Sequence, residues 1–368
     1  MPSRRLATAL LSALGASVAH GQRPLPAVVA PSPAVVPPTN DLLLVLEKDA
    51  ATARLLDPTT GATVATWPTG PFPHEVTVSP DGRTAVVADY GAEQPGRTLT
   101  VLDLPGRRVA RTIALGEYRR PHGIVWLPGI SHTEHVAVTV EESQAVLVVD
   151  VAAGRVLRAI PTNERGTHML ALGATAPLQA YTANIGGGTV SQLDLATGTR
   201  VRTVRTGRGP EAIDVTPDGR ELWVADRQLN TIGVRDARTL DSLATLPTGA
   251  FPNRLRFTPD GRTALVSNAA AGTLSVYDVP TRALRGTVAF AVDSMRVRPS
   301  PLTASLGRGA VPLGVLVARD GRTAMVALAA TGQIAVVDVA ARRVVRLLDG
   351  GATPDGMAWV PRRVMDAR

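Results

Sequence analysis

The chain has 368 residues, 45% of them hydrophobic but only 3% aromatic, a formal net charge of +8 and no cysteine. The missing cysteine excludes disulfides, thiolate metal ligands, a cysteine nucleophile, covalent haem attachment and a lipid-anchored export signal. With so few aromatics, valine, alanine and leucine must fill the interior, which suits strands stacked face to face.

The positive charge is almost all arginine, scattered along the chain and mixed with acids. No basic cluster carries interleaved aromatics on which bases could stack, so the charge reads as solvated surface and nucleic acid is not an expected partner.

Residues 1–21 read as a secretory signal. Arg4 and Arg5 precede an apolar stretch from Leu6 to Ala19, and small residues follow at Ser17, Ala19 and Gly21. The stretch is short for a membrane span, which needs ~20 apolar residues, and no later segment is apolar for long enough. The mature chain is therefore expected in the periplasm or outside the cell, without a transmembrane segment. Residues 22–39 hold Pro24, Pro26, Pro31, Pro33, Pro37 and Pro38, the composition of an extended tether.

Residues 40–361 are built from repeats. The segment from Pro210 to Asp226, with Thr231 to Asp236, matches the segment from Pro252 to Asn268, with Thr273 to Asp278, at an offset of 42 residues. An aspartate closing an apolar strand recurs at Asp57, Asp103, Asp150, Asp194, Asp236, Asp278 and Asp338. The last interval is long, and the extra residues, Ala291 to Gly307, are expected to form a surface loop.

Each unit resolves into four short strands. The first two are joined at Asp81-Gly82, Asp218-Gly219, Asp260-Gly261 and Asp320-Gly321. Asp-Gly between alternating apolar residues predicts a two-residue type I′ hairpin. Four strands in each ~40–45 residues is the pattern of a propeller blade. The fold predicted is all-β, a seven-bladed β-propeller of four-stranded blades. The repeats begin in mid-unit at Asp41 and end on a lone first strand, Asp355 to Val360, which should complete the N-terminal blade and close the ring. Residues 362–368 remain as a C-terminal tail.

The phrases Pro121-His-Gly-Ile124, Tyr181-Thr-Ala-Asn184, Gly188-Thr-Val-Ser-Gln-Leu-Asp194 and Leu222-Trp-Val-Ala-Asp226 resemble the repeats of the YVTN family of β-propellers, which includes YncE-like periplasmic proteins. The resemblance spans about Asp41 to Pro361. It implies the fold; propellers of this outline serve as binding modules, lactonases, lyases and dehydrogenase subunits. Two units depart from the pattern, with Pro128 to Glu134 and Gly173 to Pro177 in place of Pro-Asp-Gly.

The first residue of each innermost strand should lie at the mouth of the central channel. Around the ring these residues are Asp355, His74, His122, His168, Glu211, Asn253 and Leu313. Three histidines thus fall on consecutive blades, flanked by carboxylates. Hairpin arithmetic pairs His74 with Asp89, Glu211 with Asp226, Asn253 with Asn268 and Leu313 with Leu328. It also puts Glu141 near His122, Asn184 near His168 and Glu47 near Asp355, so that Glu47, Asp89, Glu141, Asn184 and Asp226 form a second tier behind the mouth.

Clustered imidazoles with a carboxylate suit a divalent transition metal, with His74, His122, His168 and Glu211 as its ligands and the second tier orienting them. Arg120, Arg165 and Arg208 precede three adjacent first strands and could hold an anionic ligand. His132 and His135 form a spaced pair at the opposite end of their blade. Gly186-Gly187-Gly188 lacks the following helix of a phosphate loop. Ser79 and Ser191 lack the surroundings of a nucleophile. Trp126, Trp223 and Trp359 read as packing residues.

Three functions follow. One is an exported binding or scaffold propeller with a ligand or metal at the mouth, facing a small molecule or a protein partner. Another is a metal-dependent, lactonase-like hydrolase or lyase using the same histidines. The last is an accessory subunit of a periplasmic redox enzyme.

Overall fold

The computed structural model describes residues 40–127, 134–173 and 178–366. The expected signal and tether, His132, and most of both departing hairpin turns lie outside these residues.

Among the described residues, twenty-eight strands form seven four-stranded antiparallel sheets arranged in a ring. The blades are numbered from the closure. In blade 1, Pro354–Val360 pairs with Leu42–Glu47, with Leu43 opposite Trp359, so the last strand of the chain completes the first blade. The inner strands of blades 2 to 7 are Pro73–Val78, Pro121–Trp126, Thr167–Leu172, Pro210–Val215, Pro252–Phe257 and Pro312–Val317. Each contacts the next, and Pro354–Val360 joins the last to the first. This approach is close: a Cβ at Gly314 would lie 2.1 Å from the Asp355 carbonyl oxygen, and one at Gly356 2.4 Å from that of His74.

Alternating side chains give each sheet two apolar faces, and each face packs on a neighbouring blade. Val86 and Ala88 of blade 2 meet Val136 and Val138 of blade 3. Leu43 and Leu56 of blade 1 meet Met325 and Ile334 of blade 7. The remaining five interfaces have the same construction.

The recurrent closing aspartates have a local cause. Asp150 Oδ1 accepts the Ala153 N–H, Asp194 Oδ1 those of Ala196 and Thr197, and Asp236 Oδ1 those of Arg238 and Thr239. Each aspartate so holds the turn between third and fourth strands. Arginines on fourth strands then reach the same turn of the next blade. Arg158 donates to the Ala196 carbonyl at 2.7 Å and Arg202 to that of Thr239 at 3.0 Å, while Arg111 and Arg346 reach Ala152 and Thr59. Part of the arginine excess therefore stitches blades together.

The Asp-Gly hairpins are not type I′. Only the glycines are left-handed, with φ of 77° at Gly82 and 74° at Gly219. Ser79 N–H donates to the Thr84 carbonyl and Gly82 N–H to that of Ser79, closing a four-residue loop. Asp81 accepts from Arg83 N–H and the Ser79 hydroxyl, a role that a left-handed aspartate is not needed for.

The stretch expected as a surface loop contains a helix, Pro301–Leu306, with Ser300 as its N-cap in a capping box with Thr303. The expected tail is helical over Arg362–Asp366, buries Val364 and Met365, and pairs Arg362 with Asp57 at 2.9 Å. No helix among the described residues is long and apolar enough to cross a membrane.

Asp89 ends the second strand of blade 2 with none of its surface exposed. It accepts bonds from Gly70 N–H and the Thr98 and Thr100 hydroxyls, with no cation beside it. Burial outweighs these bonds and raises its pKa to about 6. In blades 4 and 6 the equivalent residues, Asn184 and Asn268, make the same kind of clasp without a charge. A raised carboxyl pKa destabilises the fold as pH rises from about 4 through about 6. Asp89→Asn should therefore stabilise the protein at pH 7–8 by on the order of 2 kcal/mol and lose that advantage near pH 4. Urea midpoints of the two proteins across this range check it; equal midpoints at pH 7.5 contradict it.

Candidate functional site

All seven predicted mouth residues line one cavity of about 300 Å³ at the end of the channel. They get there through a repeated distortion. In every blade the ladder between first and second strands slips at the head of the first strand: Pro73 faces Asp89, but the next pair is Val76 with Val87. The same bulge recurs at Pro121, Thr167, Pro210, Pro252, Pro312 and Pro354. At six of the seven heads the preceding residue is left-handed, as at Phe72, Arg120, Phe251 and Thr353. Bulge and corner together free the mouth residue from the ladder and turn it into the channel.

The bulge also undoes most of the expected pairing. Asp89 faces Pro73 rather than His74, Asp226 faces Pro210, Asn268 faces Pro252, Leu328 faces Pro312 and Asn184 faces Thr167. Asp89 and Asn184 are clasps within their own blades. Asp226 accepts from the N–H groups of Arg208, Gly209, Gln228 and Leu229. Glu47 faces Pro354 and accepts from Thr52 and Arg54. Glu141 alone of this tier lines the cavity, and it serves the next blade: its Oε2 lies 3.2 Å from His168 Nδ1 and accepts from the Tyr90 hydroxyl at 2.9 Å.

His168 is the electrostatic centre. Its Nδ1 meets Glu141 and its Nε2 meets Glu211 Oε1 at 3.0 Å. Burial disfavours the charged ring, but the two carboxylates outweigh it and raise His168 to about 9, so it is an imidazolium at neutral pH. Burial likewise opposes ionised Glu211, yet His168, Arg227 and Arg254 hold it down at about 2. Asn253 Nδ2 donates to Glu211 Oε1 at 3.0 Å, and Arg227 to Oε2 at 2.9 Å.

His74 and His122 are of the other kind. Burial, followed by the charge of Lys48, pushes His74 well below the usual histidine range. Burial, followed by the neighbouring His168 and His74, does the same to His122. Both are neutral. His74 Nδ1 donates to the Phe72 carbonyl at 2.9 Å, which leaves the lone pair on Nε2. The three rings pack in a tilted row, with centroids 4.9 Å apart and planes at 59° for His74 and His122, and 3.9 Å and 38° for His122 and His168. His122 Nδ1 and Asp355 Oδ1 are buried without a hydrogen-bond partner.

The four residues expected to ligate a metal do not fit one. His168 directs both nitrogens at carboxylates, and both Glu211 oxygens already accept bonds from cations or Asn253. Among the described residues no group of three or more His, Asp or Glu is arranged to hold a metal ion. The expected anion-binding arginines do not converge on the cavity either. Arg120 donates to the Gly91 and Ala92 carbonyls and Arg165 to that of Gly186, while Arg208 does not line the cavity. His135 sits away from the mouth, 3.9 Å from Asp150.

Sequence reasoning missed the cations that do line the cavity. Lys48 Nζ pairs with Asp355 Oδ2 at 3.0 Å, both buried. It is the only lysine in a chain with 39 lysines and arginines, which was its signal. Arg254, one residue inward from the mouth, crosses the channel to Glu75 of blade 2 with contacts of 2.8 and 2.5 Å. At that second position the other blades carry Gly123, Met169, Ala212, Gly314 and Gly356, none of them charged, so the charged Glu75 and Arg254 stand out.

A protein-family model described as "Lactonase, 7-bladed beta-propeller" matches residues 175–285, which run from blade 4 into blade 6. No curated protein matches the chain. Among solved structures the chain is similar to a functionally unknown protein from Desulfotomaculum acetoxidans, with a TM-score of 0.70 and 15% identity over 87% of this chain and 98% of that one. At that identity the likeness is one of fold.

The charge states carry a pH signature. A raised histidine pKa contributes stability that is complete below about 6.5 and lost as pH rises through about 9; a depressed carboxylate contributes above about 4.5 and loses it toward about 2. His168→Gln should therefore cost about 3 kcal/mol between about pH 5 and 6.5, progressively less as pH rises from about 6.5, and little by about pH 9. Denaturant titrations of both proteins at several pH values check this; a cost independent of pH contradicts it.

Proposed function

We propose that the channel mouth binds a small carbonyl compound, with lactones as the ligand class. The observation that carries this reading is the contact of neutral His74 and His122 beside buried cations in one cavity. The lone pair on His74 Nε2 can accept a proton or a hydroxyl hydrogen. Lys48 and Arg254 offer N–H donors to a carbonyl oxygen. The cavity carries cations and carboxylates together, so a neutral polar ligand costs it less than a multiply charged one.

Hydrolysis of the bound lactone is a second reading, favoured by the match of residues 175–285 to a lactonase family. Water would add to the carbonyl carbon as His74 Nε2 takes its proton. Lys48 and Arg254 would stabilise the oxyanion. The ring C–O bond would then break and the leaving oxygen would recover the proton, releasing a hydroxy acid. This route leaves His168 and Glu211 as the fixed charge pair that keeps the row of rings in place.

The protein is further proposed to act outside the cytoplasm as a YVTN-type propeller. The support is the signal-like composition of residues 1–21 and the proline-rich 22–39. N-terminal sequencing of the mature protein tests this; an intact Met1 argues against it.

Because burial and Lys48 hold His74 well below the usual histidine range, lactone hydrolysis should be level through neutral pH, without the loss an ordinary histidine base would show near its usual pKa, and fall only in more acid solution. His74→Ala should lower kcat/KM by about 10²–10⁴-fold. A pH-stat assay over five- and six-membered lactones reads both. No rate above buffer, together with no heat of binding for any lactone, would sink both readings.

A further inference from the structure

The mouth is chemically lopsided. Blades 2, 3 and 4 supply the three imidazoles. In a ring of seven, the place opposite blade 3 lies between blades 6 and 7, and there the wall is apolar. It is built mainly of Phe251, Leu302, Leu306 and Leu313, all lining the same cavity, with one hydroxyl, that of Ser305, which donates to the Leu302 carbonyl.

Two of the four come from outside the repeat. Blade 6 connects to blade 7 through residues 290–311, twenty-two residues where the other connections take four to six. The helix Pro301–Leu306 within this stretch is fixed at its start by the Ser300 capping box. Leu302 and Leu306 are four residues apart and share one face. That face packs on Val311, Leu313, Ala329 and Ala330 beside Phe251, yet both leucines stay part exposed toward the cavity. The strand below adds to the same surface, since Leu313 is the one apolar residue among the seven at the mouth.

Resting on the reading of the mouth as a lactone site, we infer that the 290–311 insertion sets its specificity. It selects lactones that carry an alkyl chain and disfavours polyhydroxylated ones. The carbonyl end meets His74, Lys48 and Arg254. The chain lies on Leu302, Leu306, Leu313 and Phe251. A hydroxyl directed at Leu302, Leu306, Leu313 or Phe251 would lose its water without gaining a partner. A cavity of about 300 Å³ is at the small end for ligand sites, which suits a five-membered ring with a short chain.

Calorimetric titration of the full-length chain with γ-butyrolactone, γ-hexalactone, γ-octalactone and gluconolactone tests this. Each added methylene should tighten binding by about fourfold until the wall is covered. Gluconolactone should bind more weakly than γ-octalactone. The Leu302→Ser, Leu306→Ser double variant should flatten the series. An affinity in wild type that is independent of chain length, or a preference for gluconolactone, overturns the inference and leaves the mouth as a lactone site. Failure of every lactone to bind overturns the reading of the mouth and this inference with it.

Discussion

The slipped ladder at the head of each inner strand is the constraint on which the site depends. A regular hairpin would set each mouth residue opposite a partner in its own blade. The bulge places a proline or threonine there instead and leaves the mouth residue out of the ladder, in blades 4, 5 and 6 that residue alone and in the others the next one as well. Side chains at and just beyond the bulge can then reach neighbouring blades or cross the channel. His168 joins carboxylates from blades 3 and 5, and Arg254 joins blade 6 to blade 2. The left-handed corner before the strand is strained for Phe72, Arg120 or Thr353, and its repetition shows that the ring imposes it.

The rest of the ring is a rigid frame for that distortion. Seven apolar interfaces hold the sheets apart at a fixed angle. Aspartates brace one set of turns, and several arginines lash those turns to the preceding blade. The frame repeats, so function must come from where the repeat is broken. It is broken at the mouth, where seven equivalent positions hold different residues, and between blades 6 and 7, where the insertion leans over the cavity.

Electrostatics divides the three histidines into two roles. His168, between two carboxylates, becomes a fixed cation and behaves as structure. That cation, with Lys48 and Arg254, then helps keep His74 and His122 neutral. Burial and one charged imidazole thus keep two neighbouring rings neutral. Three identical side chains at one phase of the repeat would have suggested a shared metal; their unequal neighbours give them unequal protonation.

The sequence by itself determined the blade count, the closure of the ring by its last strand and the seven residues at the mouth. Each rests on local information: turn residues, period-two alternation and the phase of the repeat. Only the tertiary structure decided which mouth residues touch. Asp89 was paired on paper with His74, but a single extra residue in the ladder sent it into its own blade, and hairpin arithmetic cannot register a bulge. Glu75 meets Arg254 from 179 residues away and Lys48 meets Asp355 from 307, because a channel gathers side chains from all blades. The protonation of His168 and the apolar wall of Leu302 and Leu306 have the same origin, since both depend on neighbours that meet only when adjacent blades pack side by side.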